Sequence, residues 1–87
     1  NIKKLMLGMK KKEFTNVRKW VVDNLDNDPS RLFRKLYDNL YDYVDNGSIP
    51  HVVIILAEYQ YKAAFVADQE INLMACLTEI MGAAKFK

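Results

Sequence analysis

A chain of 87 residues with net charge +2, 51% hydrophobic and 28% charged, makes one small domain (1–87) and is too apolar for disorder. The near-neutral total argues against a general nucleic-acid binder, and the lone Cys76 excludes an internal disulfide framework and fits a reducing compartment. The longest apolar run, 52–57, is six residues against the ~20 of a membrane span, and no 7–15-residue apolar stretch follows the early lysines as a signal peptide requires.

The reading along the chain is helical throughout. Residues 2–9 place Ile2, Leu5, Met6 and Met9 on one side of a short helix, and 10–13 is a charged connection. Phe14, Val17, Val21 and Leu25 are at helical spacing with Trp20 beside them, so 14–25 is a second helix. The pattern breaks over 24–28, after which Asp28 and Pro29 supply an N-cap carboxylate and a first-turn proline. The segment 29–45 is the cleanest amphipath, with Leu32, Phe33, Leu36, Tyr37, Leu40, Tyr41 and Val44 on its core stripe. Asn46-Gly47 ends it, Ser48 can cap the next helix, and Pro50 is tolerated in that first turn.

Residues 49–66 read as a helix that is apolar almost all round. At about 100° per residue, His51, Glu58 and Lys62 share a strip roughly 40° wide, and the rest is largely aliphatic or aromatic. A chain of this length buries only ~60–65% of its unfolded surface, so wrapping such a helix calls for help from partners. Asp68 then caps a last helix, with Glu70 in its first turn, which continues to about Ala84. It buries Ile71, Leu73, Met74, Leu77, Ile80 and Met81. The expected fold is all-α, a compact bundle of about five helices. The chain lacks an initiator Met and begins within a helical pattern, as a carboxy-terminal fragment of a longer protein would.

Signatures of catalysis are scarce. His51 is the only histidine, which removes multi-histidine metal sites, and Cys76 lies among apolar neighbours as a core residue does. No Gly-rich phosphate loop is present, and the acid pairs Asp38/Asp42 and Asp42/Asp45 sit on a polar face. The chain is therefore expected to have no enzymatic activity, catalytic residue, metal, cofactor or small-molecule substrate of its own, and no membrane partner. Charge is unevenly spread: residues 1–20 hold seven Lys or Arg and one Glu. Lys10, Lys11, Lys12, Arg18 and Lys19 form the one plausible anion-contact group. That group gives an alternative function as a small nucleic-acid-binding or generic protein-interaction module, against a solvated linker. Gln60 falls opposite the polar strip beside Val53 and Leu56, and a buried amide there needs partners, either inside the domain or across a subunit interface.

The run 55–73 (ILAEYQYKAAFVADQEINL), together with 14–20 (FTNVRKW), 28–33 (DPSRLF) and 49–50 (IP), resembles the carboxy-terminal collar domain of sliding-clamp loader ATPase subunits. These are proteins like the small subunits of replication factor C, and the likeness is greatest to the T-even-type bacteriophage loader. It covers essentially all of the chain through the order and spacing of segments, without one diagnostic motif. The resemblance implies an oligomerisation domain of an AAA+ protein whose amino-terminal module, absent from this sequence, binds ATP and Mg. It implies as partners other loader subunits, like and unlike, with the sliding clamp and primer-template DNA reached through the full complex. It also implies an intracellular setting, the cytoplasm of an infected bacterial host. On this view Tyr59, Gln60, Tyr61, Phe65, Asn72 and Met74 are expected at the subunit seam.

Overall fold

The computed structural model describes residues 1–26 and 28–87; of the break at 24–28, Asn27 lies outside the described residues. Among the described residues six α-helices follow in order: α1 (Ile2–Lys10), α2 (Phe14–Asn24), α3 (Pro29–Asp38), α4 (Leu40–Tyr43), α5 (Ile49–Ala63) and α6 (Gln69–Ala83), with a 3-10 turn at Asn46–Ser48 before α5. The all-α bundle read from the sequence is the fold found.

Helix starts follow local chemistry. The Asp28 carboxylate accepts from Ser30 N at 3.2 Å and the Asp68 carboxylate from Ile71 N at 3.0 Å, each satisfying a first-turn donor. Helix α1 ends in a Schellman turn, with Glu13 N donating to Gly8 O and Lys12 N to Met9 O. Lys12 occupies the left-handed position of that turn at φ 56°, where glycine is the usual residue. Gly8 permits the close approach of α1 to α2, since a Cβ there would meet Val17 Cγ2 at 3.3 Å.

Helix α6 is the hub. It packs against α5, α2 and α1, while α3 leans on the other side of α5. Its inner residues Leu73, Cys76, Leu77, Ile80 and Met81 join Leu5, Met9, Val17, Val21, Leu36, Val52 and Ile55 in one core. The end of the chain is strapped back onto the loop before α5: Val44 and Phe86 form an antiparallel bridge, and Lys87 N donates to Tyr43 O at 2.9 Å. In the same strap Asp45 N donates to Lys85 O at 2.8 Å, and Lys85 N donates to Ser48 Oγ at 3.0 Å.

Four expectations are corrected. The 29–45 helix breaks at Asn39, whose side-chain amide donates to Lys35 O at 2.8 Å and takes the carbonyl that its own backbone N–H would use in a continuous helix. Tyr37 and Tyr41, expected on the core stripe, are 47% and 68% exposed. Tyr37 lies on the open side of α3, and the break at Asn39 ends the helical phase that aligned Tyr41 with the core. Ile71, expected in the core, is 69% exposed in the first turn of α6. The fifth helix also stops at Ala63, three residues earlier than expected, and 64–68 form the turn into α6.

Candidate functional site

Helix α5 has two unlike sides. The inner side, Ile49, Val52, Ile55 and Leu56, is buried between α3 and α6. The outer side carries Pro50, Ile54, Ala57, Gln60, Tyr61 and Ala64, all exposed, and Phe65 continues the row beyond the helix end. Ile54, Tyr61 and Phe65 are 65%, 71% and 73% exposed, and the last two rings meet at 5.2 Å between centroids. Single exposed apolar residues are ordinary; a contiguous row of large ones marks a contact surface.

This row runs into a groove of roughly 250 Å³ between α3 and α5, lined by Phe33, Arg34, Tyr37, Val53, Leu56, Ala57 and Gln60. The Arg34 guanidinium lies 5.3 Å from the Tyr37 ring centroid, so the rim combines an aromatic face with a cation. Gln60, whose amide was expected to find a partner inside the domain or across an interface, has none inside the domain among the described residues and is exposed on this groove, because α3 leaves the α5 flank open there. Along the opposite edge of the row Lys62 Nζ is 3.1 Å from Glu58 Oε1, the exposed pair that the i, i+4 spacing predicts.

Tyr59, Asn72 and Met74 lie elsewhere. Tyr59 is half-buried between α5 and α6, and its phenol donates to Glu79 Oε1 at 2.8 Å. That hydrogen bond, followed by burial, pushes the Tyr59 phenol up to about 12. Asn72 is buried and its side-chain amide donates to Tyr59 O at 3.1 Å, while Gln69 Nε2 donates to Ala63 O at 2.8 Å. Both amides fasten α6 to the end of α5. Met74 is partly buried against the core.

Cys76 is fully buried, and burial, with a smaller push from Glu79, raises its thiol to about 12. His51 is exposed on the first turn of α5. Among the described residues no group of three His, Cys, Asp or Glu could hold a metal ion, and no helix is long and apolar enough to cross a membrane. Of the basic group, Arg18 reaches across to Glu70 (Nε to Oε2, 3.7 Å), and Lys19 lines a second cavity, between α1 and α2, with Glu13, Trp20 and Asp23. Lys10, Lys11 and Lys12 are exposed at the α1–α2 turn.

Sequence reasoning missed Ile54 and Tyr37 as members of the outer surface. The signal was present for Ile54: it lies about 40° from Glu58 and 60° from His51 on the helical wheel, on their wet side.

The fold and this surface define a helical module with an outward apolar helix. The chain belongs to the family of the sliding-clamp-loader large subunit, C-terminal domain, whose pattern matches residues 30–84. The match takes in all of α4, α5 and α6 and nearly all of α3, and so the whole outer surface of α5. No curated protein matches the chain. The protein is thus a clamp-loader subunit domain, and other clamp-loader subunits are its partners.

Proposed function

We propose that this domain is the collar of its loader, the part that holds neighbouring subunits in the ring, and that the outer side of α5 with Phe65 is a seam. The observation that carries this reading is the row Ile54, Tyr61 and Phe65, each about two-thirds exposed and continuous with the groove beside Tyr37 and Gln60. Fully burying such a side chain against a neighbour stabilises an interface by ~1.5–3 kcal/mol, and aromatic residues are enriched at interface centres. Gln60 supplies a hydrogen-bonding rim on one edge and the Glu58–Lys62 pair on the other. Tyr59 and Asn72 then act from behind the seam by holding α5 on α6, and Met74 contributes packing beneath it.

In this reading the domain supplies contacts and no chemistry. ATP and Mg are bound by an AAA+ module of the parent subunit, and the sliding clamp and primer-template DNA are engaged by the assembled loader in an infected bacterial cell. The test is assembly of the loader followed by analytical ultracentrifugation. Tyr61→Asp and Phe65→Asp together are expected to weaken assembly at least tenfold while leaving the domain's melting temperature within a few degrees. Assembly at the parental affinity with both aspartates in place would refute the seam.

A further inference from the structure

One side of α1 carries a run of exposed lysines, of which Lys4 also lines the α1–α2 cavity shared with Glu13 and Asp23. Lys3, Lys4, Lys10 and Lys11 fall within an arc of about 120° and along about 12 Å of helix, and Lys12 follows in the turn. All five are exposed, α1 contains no acidic residue, and among the described residues none of the five is within ion-pairing distance of a carboxylate. Arg18, by contrast, is paired with Glu70.

The helix itself does not account for this arrangement. Lys10 to Lys12 suit the negative end of the α1 dipole, but Lys3 and Lys4 stand in the first turn, where cations are disfavoured by ~0.3–1 kcal/mol each. Neighbouring like charges add mutual repulsion that a bound polyanion would relieve.

We propose that the α1 face is a contact surface for the phosphate backbone of nucleic acid, made by Lys3, Lys4, Lys10, Lys11 and Lys12. Lysines on flexible stems suit a dense row of phosphates read without regard to sequence. A lipid surface fits less well, because Leu7, at 39% exposure, is the large apolar side chain this face offers for insertion. An acidic protein surface would call for a buried aromatic or arginine anchor, and the face has neither. The surface lies on α1, outside the stretch 30–84 that carries the family match and apart from the α5 row, so it stands independently of the collar reading.

The experiment measures fluorescence anisotropy of a labelled 20-base-pair duplex with the 87-residue chain across a salt series. Binding at low salt is expected to fall with a log–log slope of about −3.6 to −4.5, as four or five phosphate contacts require. The variant Lys3→Gln/Lys10→Gln/Lys11→Gln should make the slope shallower by about 3. Circular dichroism of that variant should match the parent, and Lys85→Gln/Lys87→Gln should leave the slope unchanged. The proposal is overturned if no binding is detected at low salt, if the α1 variant binds as the parent does, or if phosphatidylserine vesicles bind the chain while the duplex does not.

Discussion

Helices α5 and α6 have the same length, fifteen residues, and similar apolar content, yet they use it differently. Helix α6 lies against three neighbours and buries Leu73, Cys76, Leu77, Ile80 and Met81, leaving mostly small side chains and Thr78 or Glu79 outside, with Ile71 as the exception. Helix α5 is sandwiched by two, buries four residues, and leaves Ile54 and Tyr61 in solvent. The difference teaches that apolar content sets how much surface a helix can bury, while the number of neighbours sets how much it does bury. The surplus on α5 stays in solvent, and it is this surplus that the proposed seam would cover.

The sharpest way to break this comparison is to truncate one side chain on each helix. Leu77→Ala, at a position with no exposure, is expected to cost about 2–5 kcal/mol in chemical denaturation. A loss below 1 kcal/mol would remove α6 from its central role. Alkaline titration probes the contact between the two helices. Cys76 and Tyr59 both keep their protons to about 12 in the folded state, above their ordinary values of 9.0 and 10.0. The folded state therefore binds more protons than the unfolded one in that window, so stability is complete below about pH 9 and falls as pH rises toward 12. Cys76→Ala should make that fall shallower when unfolding is followed by circular dichroism. Asn72→Ala removes the amide that holds Tyr59 O and should cost about 1 kcal/mol, read as a shift of the urea midpoint. The smallest effect belongs to the outer side of α5: Ile54→Ala should change stability by less than about 0.5 kcal/mol, since the residue is 65% exposed and alanine is a good helix former. A large loss there would show that the outer side is not free.

The helices themselves were legible because their signals are local. Asp28-Pro29, Asp68 and the 3.6-residue period each act within a turn or two, and helix starts at 29 and 69 follow from them. The amphipathic reading failed where geometry between helices decides. Tyr37 keeps its helical phase within α3 but lies on a flank that no neighbour covers, whereas Tyr41 leaves the core stripe because the Asn39 amide interrupts the helix before it. Gln60, beside Val53 and Leu56, left a partner inside the domain and one across an interface equally open, because whether a flank of α5 is covered depends on where α3 lies, which no spacing along α5 records. The seam candidates divide for the same reason: Gln60, Tyr61 and Phe65 are on the outer surface, whereas Tyr59 and Asn72 face the α5–α6 contact.

The strap at the end of the chain has a consequence for how the outer row of α5 is held. At the turn between α5 and α6, Gln69 and Asn72 fasten the two helices; at the other end of the pair, Phe86 and Lys87 are fastened to Val44 and Tyr43. A helical hairpin clasped at both ends cannot splay. The outer row of α5 is therefore presented in one fixed orientation before any contact is made, and the ordering entropy that a looser hairpin would lose on association is already spent in folding. If the proposed seam is right, deleting Phe86 and Lys87 should weaken loader assembly in ultracentrifugation by more than it lowers the domain's melting stability.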